Sequence, residues 1–83
     1  MADIIVYSKP TCPYCIKAKA LLTGLGQKFK VIDIAAHPEK RDEMIQKSGG
    51  AYTVPQIFID GQHIGGCDDL HALHGRGKLV ELF

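Results

Sequence analysis

The sequence has little net charge and no long hydrophobic run, and each absence excludes a class of function. Its 83 residues carry a formal net charge of only +1, so long-range electrostatics give no reason to expect nucleic acid or an anionic membrane as a partner. No apolar run approaches the roughly 20 residues that span a bilayer. Residues 1–6 contain no basic segment ahead of an apolar stretch, so we expect no cleavable signal peptide.

Cysteine is scarce as well. The chain has three, Cys12, Cys15 and Cys67, whereas small secreted domains held by disulfides carry more, usually an even number. Three cysteines in a chain without a signal peptide are typical of a reducing compartment, and we expect a cytoplasmic protein. There a Cys-x-x-Cys pair indicates reactive thiols or a metal site rather than a structural bridge. The length leaves room for one domain, residues 1–83, with one modest core.

The first part of the chain predicts a strand–helix–strand unit. Residues 4–7 form a β-branched and aromatic run that predicts a strand. From Pro13 the apolar residues recur at helical spacing, and Gly24 ends that pattern. Residues 29–34 predict a second strand, which should lie parallel to the first.

The second part predicts a helix, a hairpin and another helix. Residues 38–48 begin with a proline and acidic residues, which favour a helix N-terminus. Asp60-Gly61 between two strand-like runs favours a type I′ hairpin over residues 56–65. A third helix starts around residues 67–69, and residues 78–83 add a final helical turn. The expected fold is α/β, a mixed four-stranded sheet with helices on both faces.

The Cys-x-x-Cys pair lies at the start of the first helix. Pro13 suits the first helical position, which makes Cys12 the N-cap. Its sulfur can then accept hydrogen bonds from the backbone N–H groups of Tyr14 and Cys15, and it lies at the positive end of the helix dipole. Both effects favour the thiolate of Cys12, and Lys9 is near enough in sequence to add to them. Cys15 should stay protonated until Cys12 is in a mixed disulfide, and then attack it.

A structural zinc site is the alternative for the same cysteines. Cys12 and Cys15 could recruit Cys67 and a histidine, but the sequence contains no second Cys-x-x-Cys and no His-x3-His pair. His71 and His74 share one face of the third helix and could bind a metal, but two solvent-exposed histidines on a helix are the commoner explanation. We therefore expect no bound metal.

Two further segments have both a structural and a functional interpretation. Pro55 can mark the entry to a strand, or it can be cis and leave the Thr53-Val54 backbone free to pair with an extended peptide. Residues 65–69 can be a loop followed by an Asp N-cap. They can also form a carboxylate site at a helix N-terminus, with the side chain of Asp68 available to an ammonium group.

Three segments of the chain together resemble the glutaredoxins, specifically the small dithiol class with a Cys-Pro-Tyr-Cys centre. Cys-x-x-Cys alone would be weak support, but the three segments in this order and at these separations are highly specific. They are Thr11-Cys12-Pro13-Tyr14-Cys15, Thr53-Val54-Pro55-Gln56-Ile57-Phe58 and Gly65-Gly66-Cys67-Asp68-Asp69-Leu70.

The resemblance implies a thioredoxin-like fold, with Pro55 cis beside the redox centre. It implies glutathione as co-substrate and no bound cofactor. Cys12 would form the mixed disulfide with glutathione, the Val54 backbone would pair with the tripeptide, and Lys9 would attract its glycine carboxylate. The N–H groups of Cys67 and Asp68 would hold the γ-glutamyl carboxylate, and the Asp68 side chain its ammonium. The implied glutathione-binding residues are Lys9, Tyr14, Thr53, Val54, Pro55, Gly66, Cys67 and Asp68.

The implied activity is glutathione-dependent thiol–disulfide exchange by a monomer. Cys12 alone would reduce protein–glutathione mixed disulfides, and Cys12 with Cys15 would reduce protein disulfides, those of ribonucleotide reductase among the candidates. A thioredoxin-like reductase served by thioredoxin reductase remains an alternative. Another is an iron–sulfur carrier, a dimer holding a cluster between two Cys12 thiolates and glutathione, although Pro13 stiffens the turn that would have to hold it.

Overall fold

A computed structural model describes residues 2–83, and every expected strand and helix is present in the expected order. The second strand is shorter than the predicted 29–34. The elements are β1 (Ile4–Ser8), α1 (Pro13–Gly24), β2 (Lys30–Asp33), α2 (Pro38–Lys47), β3 (Gln56–Ile59), β4 (Gln62–Gly65), α3 (Cys67–Gly75) and a 3₁₀ turn (Leu79–Leu82).

The four strands form one mixed sheet in the order β2-β1-β3-β4. β1 and β2 are parallel, as the strand–helix–strand pattern predicts, with Val6 opposite Val31. β3 runs antiparallel to both β1 and β4. The two central strands are therefore β1 and β3. Because they are antiparallel, the residues that follow β1 and those that precede β3 meet at the same end of the sheet.

The β3–β4 connection has the geometry that its sequence predicts. Asp60 has φ +51° and Gly61 has φ +81°, and positive φ at both central residues is the requirement of a type I′ turn. The turn is also tied to the start of the chain, because the backbone N–H of Asp3 donates to Asp60 Oδ1 at 2.8 Å.

Each face of the sheet is covered by a separate apolar cluster, as expected for a sheet with helices on both sides. One cluster joins β1 and β3 to α1, α3 and the 3₁₀ turn, and the other joins them to α2. The first contains Ile4, Val6, Ala18, Leu22, Ile57, Ile59, Cys67, Leu70 and Leu79. The second contains Tyr7, Ile34, Met44 and Phe58.

Helix α2 is held by few contacts, because most of its side chains are charged or polar. Met44 is its one fully buried residue. A hydrogen bond adds to that anchor, because Tyr7 Oη donates to Glu43 Oε2 at 2.8 Å. Burial, together with this bond, raises the pKa of Tyr7 to about 12, while the bond lowers the pKa of Glu43. None of the helices within residues 2–83 is long and apolar enough to cross a membrane.

Candidate active site

Cys12 is the N-cap of α1, as predicted. Its backbone is extended, Pro13 occupies the first turn, and its Sγ accepts a hydrogen bond from the backbone N–H of Cys15 at 3.2 Å. The expected second bond, from the N–H of Tyr14, is absent, and that prediction was wrong. An N-cap side chain reaches the second or the third N–H of a helix, and here the sulfur lies over the third.

The turn before β3 faces the sulfur of Cys12. The distance from Cys12 Sγ to the carbonyl oxygen of Val54 is 3.7 Å, with the thiol as donor. The Val54–Pro55 peptide bond is cis, as the family resemblance implies. Two segments 42 residues apart in the chain therefore meet at the redox centre.

Cys15 is completely buried under the first turn of α1. Burial raises the pKa of the Cys15 thiol, and its hydrogen bond with Cys12 raises it further, while contacts with Lys9 and Ser8 act in the opposite direction. The two thiols thus differ in environment as the sequence predicts: one lies at a helix N-terminus, and the other is in the core and protonated.

A cavity of about 410 Å³ lies between the turn before β3 and the start of α3. Seven of the eight residues expected to bind glutathione line it, and Lys9 does not. Gln56 and Asp69 also line the cavity, and the sequence analysis missed both. The lining residues are Tyr14, Thr53, Val54, Pro55, Gln56, Gly66, Cys67, Asp68 and Asp69.

Each missed residue has a signal in the sequence. Gln56 is a polar side chain at the start of the buried run of β3, only 4% exposed, and a buried amide needs hydrogen-bond partners. Asp69 lies three residues after Gly66, the spacing at which an acidic side chain reaches back to cap a helix.

The start of α3 has a glycine, not an aspartate, as its N-cap. Gly66 is the N-cap, in an extended conformation, and Asp69 Oδ2 accepts a hydrogen bond from its N–H at 3.1 Å. Of the two interpretations of residues 65–69, the loop followed by an Asp N-cap is therefore wrong, because β4 runs directly into the helix and leaves the cap position to Gly66. The N–H groups of Cys67 and Asp68 then belong to the first helical turn, where N–H groups have no partner within the helix.

Cys67 lies at the boundary between this cavity and the core. It is 5% exposed. Burial raises the pKa of its thiol, and the charge of Asp68 raises it further. Both effects disfavour the thiolate of Cys67 near neutral pH. Within residues 2–83, no three His, Cys, Asp or Glu side chains are grouped so that they could hold a metal ion.

The sheet, the N-cap cysteine and its buried partner together define a thiol–disulfide oxidoreductase of the dithiol type. Comparison with known proteins specifies the family: the glutaredoxin model matches residues 4–64. The chain is 58% identical to glutaredoxin 3 of Escherichia coli over 82 residues. The alignment covers 99% of this chain and 98% of that protein. It belongs to the glutaredoxin family, the glutathione-dependent thiol–disulfide oxidoreductases.

Solved structures agree in fold. The solution structure of glutaredoxin from Brucella melitensis superposes with a TM-score of 0.85 at 55% identity, covering 99% of this chain and 88% of that one. The crystal structure of a buckwheat glutaredoxin–glutathione complex gives a TM-score of 0.90 at 36% identity, covering 98% and 76%. The fold is therefore the thioredoxin-like α/β fold that the sequence predicts.

Proposed function

We propose that this glutaredoxin reduces protein–glutathione mixed disulfides with Cys12 as the nucleophile, and protein disulfides with Cys12 and Cys15 together. The observation that carries the proposal is the position of Cys12 Sγ. It accepts the N–H of Cys15 at 3.2 Å and lies 3.7 Å from the carbonyl oxygen of Val54, a residue of the cavity wall.

The monothiol route uses Cys12 alone. Its thiolate attacks the glutathione sulfur of the mixed disulfide; that S–S bond breaks, and the substrate protein leaves as a thiolate that takes a proton from water. A second glutathione thiolate then attacks the glutathione sulfur bound to Cys12. Oxidised glutathione leaves, and the Cys12 thiolate is restored, stabilised at the helix N-terminus by the N–H of Cys15 and the helix dipole.

The dithiol route adds Cys15. After Cys12 has attacked a protein disulfide, Cys15 loses its proton and attacks Cys12 Sγ, which releases the reduced substrate and leaves a Cys12–Cys15 disulfide. Burial of Cys15, which raises the pKa of its thiol, slows this step. A mixed disulfide with glutathione can then survive long enough to meet a second glutathione.

The cavity beside Cys12 is the proposed glutathione site. The Val54 backbone pairs with the tripeptide as an added strand. The N–H groups of Cys67 and Asp68 bind the γ-glutamyl carboxylate, the Asp68 side chain binds the ammonium, and Lys9 attracts the glycine carboxylate from outside the cavity wall. The lining residues support this arrangement, and the complex of the buckwheat relative with glutathione supports glutathione as the ligand.

The remaining proposals concern the cellular setting. The reaction needs a compartment that keeps glutathione reduced, so we place the protein in the cytoplasm. Helices cover both faces of the sheet, which supports a single domain over residues 1–83 that works as a monomer. Its protein partners are glutathionylated or disulfide-containing proteins, ribonucleotide reductase among the candidates.

A coupled assay tests the proposal. NADPH oxidation is followed with glutathione, glutathione reductase and a glutathionylated peptide, for wild type, Cys12→Ser and Cys15→Ser. We expect wild type and Cys15→Ser to turn over and Cys12→Ser to be inactive, while a protein disulfide requires both cysteines. A wild type that fails with glutathione but is reduced by thioredoxin reductase would instead establish the thioredoxin-like alternative.

A further inference from the structure

We infer that His63, outside the cavity, positions the Thr53-Val54 backbone for glutathione through the side chain of Gln56. The inference rests on the proposed glutathione site and adds a residue to it that touches neither the substrate nor the reacting sulfur atoms. His63 is an exposed residue of β4, and it belongs to none of the segments that carry the family resemblance.

Two hydrogen bonds connect His63 to the turn before β3. Gln56 Nε2 donates to the carbonyl oxygen of Thr53 at 3.0 Å, and His63 Nε2 lies 2.7 Å from Gln56 Oε1. The Thr53 carbonyl can only accept, so the amide nitrogen of Gln56 must face it and the amide oxygen must face His63. His63 Nε2 therefore carries the proton and is the donor.

The imidazole ring is itself held in place. Phe58 and His63 are directly opposite each other in the β3–β4 pairing, and their ring centroids are 5.0 Å apart with planes inclined at 35°. Stacking on Phe58 aims Nε2 at the start of β3. The position of the donor is thus set by the β3–β4 pairing.

The donor is needed because the buried amide oxygen of Gln56 requires a hydrogen-bond partner. Gln56 is buried, and the 180° rotation of its amide would place Oε1 against the carbonyl oxygen of Thr53, where two acceptors repel each other. The N–H of His63 favours the orientation that holds Thr53. Loss of that N–H should release the Thr53-Val54 backbone and weaken glutathione binding, while the bond between Cys15 N–H and Cys12 Sγ stays intact.

Two variants separate the hydrogen bond from the packing. His63→Phe keeps a ring that can stack on Phe58 but has no donor, and His63→Gln keeps an N–H donor but loses the ring. His74→Phe, the same substitution at an exposed histidine of α3, is the matched control. KM and kcat are measured with a glutathionylated peptide, and Cys12 reactivity is measured as its rate of alkylation by iodoacetamide.

We expect His63→Phe to raise KM about three- to tenfold, the effect of losing one hydrogen bond, with kcat and the alkylation rate unchanged. His63→Gln should stay close to wild type, as should His74→Phe. In a Gln56→Leu background, which should raise KM by itself, His63→Phe should have no further effect, because the path to Thr53 is already broken.

Two results would overturn the inference while leaving the proposed function intact. One is an unchanged KM in His63→Phe with an active enzyme. The other is equal impairment of His63→Phe and His63→Gln, which would show that the imidazole matters only through its shape. A wild type that does not turn over the glutathionylated peptide would instead remove the proposed function and, with it, this inference.

Discussion

Gly65 is the position where a single methyl group should do the most damage to the candidate glutathione site. It ends β4 with φ +120°, a conformation that residues with a side chain rarely adopt, and a Cβ there would lie 2.9 Å from Cβ of Asp69. Asp69, in the first turn of α3, secures the helix start by accepting a hydrogen bond from the N–H of Gly66, the N-cap. Gly65→Ala therefore strains the backbone and displaces the cap together.

The expected loss of stability is the sum of these two effects. A side chain in a sparsely populated region of positive φ costs about 1–2 kcal/mol, and losing a helix cap costs about 1 kcal/mol. The free energy of unfolding should fall by about 2–3 kcal/mol. For a domain of this size that corresponds to a decrease in Tm of about 10–20 °C.

Thermal and urea unfolding of wild type and two variants test this value. Gly50→Ala is the control, because Gly50 has a similar φ of +113° and no atom within 4 Å of the added Cβ, so only the backbone effect applies. We expect Gly65→Ala to be about 1 kcal/mol less stable than Gly50→Ala and to have a raised KM for glutathionylated peptide. Equal stability of the two variants would refute the assigned role of the contact with Asp69.

Three further predictions concern the core and the thiols. Tyr7→Phe should lose about 1 kcal/mol near neutral pH through the missing hydrogen bond. The difference in free energy of unfolding between wild type and Tyr7→Phe, measured by urea titration, should disappear as the pH rises from about 10 to about 12. The pKa of Tyr7 is raised to about 12 in the folded state, so over this range the unfolded state loses the proton first and unfolding is favoured. Met44→Ala should cost about 2–5 kcal/mol by leaving a cavity under α2, whereas Ile16→Ala, at a side chain 57% exposed, should cost little in the same unfolding assay. Iodoacetamide near neutral pH should modify Cys12 first, with the two buried cysteines much slower, as peptide mass mapping will show.

Features determined by neighbouring residues could be predicted from the sequence. The type I′ turn at Asp60-Gly61 needs only the two residues that tolerate positive φ. The N-cap position of Cys12 follows from Pro13 beside it. Apolar periodicity, together with the proline and acidic residues at the start of residues 38–48 and the Asp60-Gly61 turn, was sufficient to place the strands and helices in order.

Features that depend on how distant segments meet could not be predicted. The residue that caps α3 is decided by the path of β4 into the helix, which assigned Gly66 rather than an aspartate. The bond from Tyr7 to Glu43 and that from His63 to Gln56 join different elements, and their partners are fixed by the register of the sheet and the placement of α2. The cis bond before Pro55 has too low a frequency to predict from the residues alone, and only the family resemblance implied it.

The most direct test of the central claim is an NMR experiment on the Cys15→Ser protein labelled with nitrogen-15 and treated with oxidised glutathione. We expect one glutathione adduct per chain, on Cys12, and amide shift changes concentrated at Thr53, Val54 and Gly66, which line the proposed glutathione cavity. An adduct on Cys67, or shifts concentrated instead at the neighbouring cavity between α1 and α3, lined by residues that include Lys17, Ala20 and His71, would contradict that claim.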